Sequence, residues 1–272
     1  MGNRQKRMSG HKHSQIQVLL LGCNFCNEGK YDNSDSIIVA SLDKKTGAVK
    51  LASIMRDIWV DLHEYGMDKI NSALVHGGPE FTLKVVNEAF NLNIRYYALV
   101  DMLGLVNIID LLGGIDVEIT EMERIFLNCW VRDLAVQFND GIIPPHIEKA
   151  GMVHMDGRTA LSHARNRAIG ADFARSDRQR VVLKAMAKKL REKSSTAQKI
   201  KLFFQITKHV KTNLSAAQAA GLGLSALKAK DSGFPSIRIP VENTYKVCKE
   251  PNWHFEIDFE ENAAKLAEFF SN

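Results

Sequence analysis

Apolar segments of two different periodicities alternate along this 272-residue chain, and this alternation restricts its fold more than any other feature. Short apolar runs bounded by turn residues are typical of buried strands, whereas apolar positions three and four residues apart are typical of helices. Strands that alternate with helices pack in layers, so the sequence predicts a layered α/β domain around a central sheet. The predicted strands are 15–22, 36–42, 48–54, 96–100, 115–119 and 236–241.

Helical patterns occupy most of the remaining chain. The helix at 102–112 stops at Gly113-Gly114, where the second glycine can adopt a left-handed cap. The strands 36–42 and 48–54 are joined by a short Lys-Thr-Gly turn, which predicts a hairpin. The segment 120–150 carries few clear signals, and we interpret it as irregular. The predicted helices are 78–90, 102–112, 156–167, 174–193, 196–210, 215–228 and 260–270.

Composition is that of a globular protein, with 45% hydrophobic and 25% charged residues. We expect a basic, disordered lead at 1–14 and a single domain over 15–272, whose part from about 195 onward is mainly helical. No apolar run approaches the roughly 20 residues of a membrane span. The run 16–23 is too short for a signal-peptide core. We therefore expect neither an export signal nor an anchor in the chain as given.

The chain has a mild net charge of +5, but six of its arginines fall between Arg158 and Arg180. We call these residues the arginine segment. Arg175, Arg178 and Gln179 lie at positions i, i+3 and i+4 of the predicted helix and share a face. Arg165 and Arg167 end the preceding predicted helix. Crowded guanidinium groups repel one another, and their forked donors match phosphate oxygens. The segment therefore predicts a phosphate or pyrophosphate site. The alternative is a set of surface salt bridges among Arg175, Asp172 and Asp177.

Three further charged residues, Asp35, Arg56 and Lys69, are candidates for ligand binding. Arg56 lies at a predicted strand end, where ligands commonly bind in layered α/β sheets. Arg56 follows the strand 48–54 and is interpreted as a phosphate contact, or as a structural partner of Asp57. Lys69 is a second phosphate contact or a surface lysine. Asp35 follows a polar loop, where it either binds a metal or ends a turn. In the arginine segment, Asp172 lies near the start of a helix and can cap its N–H groups.

Other chemistries find little support in the sequence. Cys23 and Cys26 form a CxxC pair, but no second pair stands at zinc spacing, which favours incidental thiols. The chain contains no phosphate-binding Walker loop, dinucleotide fingerprint, HExxH or GxSxG motif. His163 is interpreted as a packing or polar-network residue. Nucleic-acid binding through the arginine helix is disfavoured, because acidic residues interrupt the basic segment and aromatic residues other than Phe173 are missing from it.

The order of these motifs over roughly 15–190 resembles the LytR–CpsA–Psr family of bacterial cell-wall phosphotransferases. Each motif alone is weak, but their joint order and spacing make chance agreement improbable. They are Asp35-Ser36, Ser53-Ile54-Met55-Arg56-Asp57, Asp68-Lys69-Ile70-Asn71, Gly77-Gly78, Leu112-Gly113-Gly114-Ile115-Asp116-Val117, Gly157-Arg158-Thr159-Ala160-Leu161, Arg165-Asn166-Arg167, and Asp172-Phe173-Ala174-Arg175 through Arg178-Gln179.

The resemblance implies an α/β/α domain with a central mixed sheet flanked by helices. It also implies transfer of a glycopolymer from a polyprenyl-pyrophosphate carrier to a peptidoglycan acceptor, with formation of a phosphodiester link. Such proteins act at the extracytoplasmic cell surface and meet the membrane surface through their lipid substrate. Since the family normally carries an N-terminal anchor, we expect a truncated start or a divergent member.

The resemblance also implies roles for individual residues. Catalytic roles fall on Arg56, Arg165, Arg167 and Asp35. The three arginines contact the head group, whereas Asp35 meets a magnesium ion. Substrate binding falls on Lys69, Asp172, Arg175 and Gln179.

The chain departs from the family pattern at three positions. Asn24 stands where the family usually has an aspartate, Asn33 where it has an arginine, and Met55 where it has a proline. Since magnesium prefers carboxylate and phosphate oxygens, Asn24 weakens the implied metal site. Two functional hypotheses follow: an active phosphotransferase, or a protein that binds a polyprenyl phosphate or pyrophosphate lipid without transfer.

Overall fold

The computed structural model describes residues 15–27, 29–192, 195–226 and 234–271, so the predicted disordered lead at 1–14 lies outside the described residues. The strands are β1 Gln15–Cys23, β2 Cys26–Asn27, β3 Lys30–Tyr31, β4 Ser34–Asp43, β5 Val49–Ile54, β6 Trp59–Asp61, β7 Met67–Lys69, β8 Tyr96–Asp101, β9 Ile115–Ile119, β10 Gly151–Met155, β11 Lys211–Thr212, β12 Ser236–Ile239, β13 Tyr245–Cys248 and β14 His254–Ile257. The α-helices are α1 Ala73–Ala89, α2 Met102–Leu112, α3 Glu121–Phe138, α4 Gly157–Arg165, α5 Ala171–Glu192, α6 Thr196–Thr207, α7 Ala216–Ala226 and α8 Phe259–Ser271, and short 3-10 turns cover His63–Tyr65 and Ile70–Ser72.

The contacts of the chain group it into two compact units. We call one the sheet unit, which comprises Met1–Leu21, Cys26–Ala98 and Thr212–Asn272. The other is the helical unit, which comprises Gly22–Phe25 and Leu99–Lys211. The expectation of a single domain over 15–272 remains a prediction.

The main sheet has six strands in the order β11-β8-β1-β4-β5-β12. β4 and β5 are antiparallel, with Ile37 opposite Ile54, whereas β12 runs parallel to β5, with Ile239 opposite Ile54. The sheet is therefore mixed. Helix α8 is tied to it where the Gln15 side chain donates to the Phe270 carbonyl at 3.1 Å. The predicted α/β class, with a central mixed sheet and flanking helices, is confirmed.

The hairpin between β4 and β5 is held by its turn. The Asp43 carboxylate accepts from the backbone N–H of Lys45 at 2.7 Å and of Thr46 at 3.2 Å. Gly47 adopts a φ of 74°, which a residue with a side chain rarely tolerates. The predicted hairpin is confirmed.

The prediction of an irregular segment at 120–150 is wrong, because helix α3 occupies Glu121–Phe138 of the helical unit. Thr120 and Glu123 form a capping box: the Thr120 side chain accepts from the Glu123 N–H, and the Glu123 side chain accepts from the Thr120 N–H. The helix buries Leu127 and Val131 against Ile115 and Val117 of β9 in one core cluster. The Thr-x-x-Glu pattern of this capping box is present in the sequence. The buried apolar residues of the helix are too few and too widely spaced to indicate a helix by themselves.

Several boundaries differ from the predicted ones. Helix α1 begins at Ala73, before the predicted start at 78, although its backbone departs from helical geometry at Gly77 and Gly78. The residue that caps α2 is Gly113, with φ 81° and ψ 34°, so the cap was assigned to the wrong glycine of the pair. In the part of the chain that the structure describes, no helix combines the length and the apolarity needed to cross a bilayer.

Candidate functional site

Arg56 and Asp35 are neighbours in the sheet unit because of the β4–β5 register. Ile37 lies opposite Ile54, and extending this antiparallel register by two residues places Asp35 opposite Arg56. Arg56 Nη1 donates to Asp35 Oδ1. Both side chains retain some exposure, 16% for Arg56 and 27% for Asp35. The residues that the sequence placed at two strand ends therefore form one ion pair.

The buried Asp57 carboxylate links Arg56 to Lys69. Arg56 Nε donates to Asp57 Oδ2 at 3.3 Å, and Lys69 Nζ lies 2.8 Å from Asp57 Oδ1. One carboxylate thus sets the spacing of two cations. We call Asp35, Arg56, Asp57 and Lys69 the Arg56 cluster. The structural pairing of Arg56 with Asp57, left open in the sequence, is present.

Backbone pairing fixes the segment that carries Lys69 beside the segment that carries Arg56. The Ile70 N–H donates to the Ile58 carbonyl at 2.7 Å, and the Asn71 N–H donates to the Arg56 carbonyl at 3.2 Å. The buried Ser34 hydroxyl donates to the Asn71 carbonyl at 3.3 Å. These bonds hold the first residues of β4 and the chain after β5 and β7 at one place.

The Arg56 cluster balances two cations against two carboxylates, so it is formally neutral. Asp57 is buried and serves both cations, whereas Asp35 is partly exposed and contacts Arg56. An incoming anion can therefore compete with Asp35 for the guanidinium group while Asp57 keeps both cations in position. Arginine and lysine presented in this way suit phosphate oxygens, since guanidinium binds two of them at once.

Magnesium fits the Arg56 cluster only through Asp35. In the described residues, Asp35 belongs to no group of three or more potential metal ligands. Magnesium is often held by one or two carboxylates together with substrate phosphates and water. A carboxylate accepts at about four lone-pair positions. Asp35 would therefore supply one ligand to such an ion beside its contact with Arg56.

In the helical unit, Arg178 on α5 holds the loop between α4 and α5. This buried guanidinium donates through Nε to Glu123 Oε1 at 2.9 Å, through Nη1 to the Asn166 carbonyl at 2.9 Å and through Nη2 to the Ile169 carbonyl at 2.8 Å. All three nitrogens thus have protein acceptors. Sequence reasoning grouped Arg178 with Arg175 and Gln179 on a ligand-binding face, and the structure assigns Arg178 to the support of that loop instead.

Glu123 and His163 are titratable residues whose pKa values respond to the charge of Arg178. Burial alone would raise the pKa of Glu123, but hydrogen bonds from Thr120 and Arg178 bring it below its usual range. Burial is the main reason that the pKa of His163 falls to about 4, and the positive charge of Arg178 lowers it further against the opposing effect of Glu123. His163 is therefore a neutral, buried residue near neutral pH, which agrees with its interpretation as a packing or polar-network residue.

Two other arginines of the segment contact nearby carboxylates. The Arg158 guanidinium donates to Asp140 and lies 4.7 Å from the centre of the Phe138 ring. Arg180 donates to Asp177 and, at 3.2 Å, to the Ser176 hydroxyl. Part of the segment is therefore structural. The salt-bridge alternative proposed Asp177 as a partner of Arg175, and the structure pairs Asp177 with Arg180.

The remaining predicted residues of the helical unit lie at the α4–α5 junction and on α5. Arg165 Nη1 donates to Gln137 Oε1 at 3.0 Å, and Arg167 follows in the exposed part of the loop. Arg175 is buried and Gln179 is half-buried, one helical turn further on. Asp172 is the second residue of α5, and its side chain is not among those that the structure describes.

Sequence reasoning missed three residues that position these arginines. Glu123 and Asn166 accept hydrogen bonds from Arg178, and Asn166 Oδ1 also accepts from the Ala168 N–H at 2.8 Å. In the Arg56 cluster, the bridging role of Asp57 was missed. The Thr-x-x-Glu pattern indicates that Glu123 caps a helix, but no local pattern in the sequence predicts its ion pair with Arg178.

At the positions of departure from the family pattern, the structure places Asn33 in an exposed position directly before β4 of the sheet unit. Asn24 is half-buried, directly after β1, and is assigned to the helical unit. Neither residue carries a charge, so neither replaces the carboxylate or the guanidinium of the family pattern.

Comparison with known proteins identifies relatives over most of the chain. Polyisoprenyl-teichoic acid–peptidoglycan teichoic acid transferase TagU of Bacillus mycoides is 34% identical over 210 residues, which are 76% of this chain and 63% of TagU. The chain therefore spans less than two thirds of that relative's length.

Solved structures share the fold. TagV of B. subtilis matches with a TM-score of 0.74 and 25% identity over 96% of this chain and 99% of TagV. The LytR-CPS2A-psr family protein YwtF (TagT) of B. subtilis, with bound octaprenyl pyrophosphate lipid, matches with a TM-score of 0.68. At 22% identity over 96% of this chain and 92% of YwtF, that likeness shows a common fold.

The sequence profile of the LytR_cpsA_psr family matches residues 2–268. This range includes every motif on which the resemblance was based, and it covers nearly the whole chain. The protein belongs to the LytR–CpsA–Psr family.

Proposed function

We propose that this protein transfers a glycopolymer from a polyprenyl-pyrophosphate carrier to the peptidoglycan of a bacterial cell wall. The observation that carries the proposal is the Asp57 carboxylate, which holds Arg56 and Lys69 beside each other in a geometry suited to a pyrophosphate. The similarity to TagU, whose name describes such a transfer, supports the same reaction.

The proposed step replaces one phosphorus–oxygen bond by another. A hydroxyl oxygen of the acceptor bonds to the phosphorus next to the glycopolymer, the bond from that phosphorus to the bridging oxygen breaks, and the hydroxyl proton is released. Polyprenyl monophosphate leaves, and a phosphodiester remains. Because phosphoryl transfer depends mainly on positioning and on neutralising charge, a cluster of oriented cations is the main requirement.

Roles for individual side chains follow from this step. Arg56 and Lys69 bind the pyrophosphate oxygens, and Asp57 keeps both cations oriented. In the helical unit, we assign further head-group contacts to Arg165, Arg167, Arg175 and Gln179, with Asp172 in a supporting role. The proposal for these five residues rests on their match to the family motifs.

Magnesium and location complete the proposal. Asp35 would hold a magnesium ion together with substrate oxygens, and the ion would supply charge neutralisation to the pyrophosphate. Family membership supports action at the extracytoplasmic cell surface, where the lipid carrier brings the protein to the membrane surface.

The test is turnover by purified protein, supplied with a polyprenyl-pyrophosphate-linked sugar, a peptidoglycan acceptor and magnesium. Arg56→Ala and Lys69→Ala should each lower kcat/KM by about 100-fold or more, as does the loss of one preorganised electrostatic donor elsewhere. Matched controls are Arg95→Ala and Lys84→Ala, which remove exposed cations of the same unit. Equal loss in the variants and their controls would contradict the assigned roles.

The second candidate is binding of the lipid pyrophosphate without transfer, and the uncharged Asn24 and Asn33 favour it. In the same assay, this candidate predicts that wild-type protein retains the donor without cleaving it. The double variant Asn24→Asp with Asn33→Arg should then begin to turn over. If wild-type protein turns over by itself, the binding-only candidate is excluded.

A further inference from the structure

Three potential metal ligands of different chemistry converge on the hairpin β13–β14 of the sheet unit. Cys248 lies directly opposite His254, and Glu256 follows two residues later on the same face. One ligand atom from each residue, a thiol sulfur, an imidazole nitrogen and a carboxylate oxygen, lies within 4.8 Å of the other two. The hairpin register thus brings together residues that are not arranged in a recognisable motif.

The His254 ring is held in an orientation suited to metal binding. Its Nδ1 lies 2.7 Å from the Asn252 carbonyl, so Nδ1 carries the hydrogen and Nε2 presents its lone pair. Ligating histidines commonly donate their second nitrogen to a carbonyl or carboxylate in this way. The Trp59 ring packs against the imidazole, with ring centres 4.3 Å apart.

Among the residues that the structure describes, none forms a hydrogen bond with His254 Nε2, although His254 is only 1% exposed. Glu256 Oε1 lies 3.8 Å from this nitrogen, beyond hydrogen-bond distance. Buried polar atoms are almost always paired, so an unpaired nitrogen that is aimed at a thiol and a carboxylate calls for an explanation. A cation between the three ligand atoms would provide one.

We propose that Cys248, His254 and Glu256 bind a zinc ion, with a water molecule as the fourth ligand. Thiolate and imidazole ligands select zinc over the hard cations magnesium and calcium, and three protein ligands with water make a tetrahedral site. Zinc–ligand bonds of about 2.0–2.3 Å require the atoms to move slightly closer together. The exposed Glu256 side chain can make that movement.

Zinc holds a ligating cysteine as a thiolate, so the Cys248 thiol would lose its proton on binding. The exposed Lys246 lies opposite Glu256 in the hairpin register and offers an alternative partner for that carboxylate.

The proposed zinc site is separate from the Arg56 cluster but adjoins it through the hairpin. The Phe255 N–H donates to the Asp57 carbonyl at 2.8 Å, and Lys69 Nζ lies 5.9 Å from the centre of the Trp253 ring. Zinc would therefore fix the hairpin β13–β14, whose residues contact Asp57 and Lys69. We assign it a structural role, which does not depend on the proposed transferase activity.

The experiment uses the full chain after its metal has been removed. Titration calorimetry measures zinc binding, and absorption spectroscopy follows the binding of cobalt in place of zinc. Wild-type protein should bind one zinc ion, and the cobalt form should show a thiolate-to-cobalt charge-transfer band. Cys248→Ser should abolish the band and weaken zinc binding more than about 100-fold, which exceeds the effect of losing an outer-shell contact. Cys26→Ser, which changes the other cysteine motif, should leave both signals unchanged.

A second variant guards against loss of folding. Glu256→Gln changes an exposed side chain, so the protein should keep its fold, verified by circular dichroism, while zinc affinity falls at least about tenfold. Zinc should also raise the Tm of the wild type and leave the Tm of Cys248→Ser unchanged. No zinc binding by the wild type, or binding that survives Cys248→Ser or is lost in Cys26→Ser, would overturn the proposal.

Discussion

Replacing Arg178 by methionine tests how the helical unit supports its predicted phosphate contacts. The guanidinium group is 6% exposed and donates to the Glu123 carboxylate and to the carbonyls of Asn166 and Ile169. Methionine keeps much of the side-chain volume but removes every donor. The substitution therefore isolates the electrostatic role of Arg178 from its packing role.

The expected loss of stability follows from the Glu123 carboxylate, which the substitution leaves without its arginine partner. Removing one member of a buried ion pair costs about 3–5 kcal/mol, because the other charge stays in a poorly solvated place. Glu123 retains 16% exposure and its hydrogen bonds from Thr120, which favours the lower end of that range. We expect the free energy of unfolding to fall by about 3 kcal/mol, a large part of the usual total of about 5–15 kcal/mol.

The assay is urea unfolding, followed by circular dichroism, of four proteins: wild type, Arg178→Met, Glu123→Gln and the double variant. The double-mutant cycle should give a coupling energy of about 1–3 kcal/mol between the two residues. As a control, Arg132→Met removes an exposed arginine from α3 of the same unit and should change stability by about 0.5 kcal/mol or less. A loss below about 1 kcal/mol for Arg178→Met, or a coupling energy near zero, would refute the structural role of Arg178.

Two further predictions concern buried residues of the helical unit. Because the pKa of His163 lies at about 4 in the folded protein against 6.5 in the unfolded chain, the unfolded state binds the proton more readily. Stability from this group is fully present above about pH 6.5 and is lost as the pH falls to 4. The wild type should therefore lose about 3 kcal/mol more than His163→Gln over that window in urea titrations, and identical profiles would contradict the buried, neutral histidine. A Cβ at Gly157 would lie 2.3 Å from the Val106 carbonyl oxygen, so Gly157→Ala should cost about 1–3 kcal/mol in unfolding free energy. The control Gly221→Ala, in α7 with no atom within 4 Å, should instead gain about 0.5–1 kcal/mol; a gain at both positions would contradict the close contact.

Local patterns were enough to predict most of the fold. Five of the six strands of the main sheet, the β4–β5 hairpin and helix α2 follow from periodicity and from turn residues such as Gly47, since these signals act over a few neighbouring residues. The two-residue strand β11 is too short for such a signal and was not predicted. Helix α3 was missed because its buried residues are few and widely spaced, so that the capping box formed by Thr120 and Glu123 was the main local signal.

The sequence also predicted that the candidate site binds phosphate groups. The motifs that contain Asp35, Arg56 and Lys69 pointed to phosphate binding, and the structure brings these three residues together. Their contacts depend on strand register and on the buried Asp57, which accepts from both cations. A sequence motif shows which residues are present, whereas the register between two paired strands determines which residues lie opposite each other.

The sequence by itself determined the α/β class, the family and the types of residue available for binding an anion. Only the tertiary structure decided how each arginine is used, because all of them offer the same donors and differ in which carboxylate lies nearby. Arg178 meets Glu123 from 55 residues away, and Cys248 meets His254 through a hairpin register. Such contacts are set by packing between distant segments, and local propensity carries no information about them.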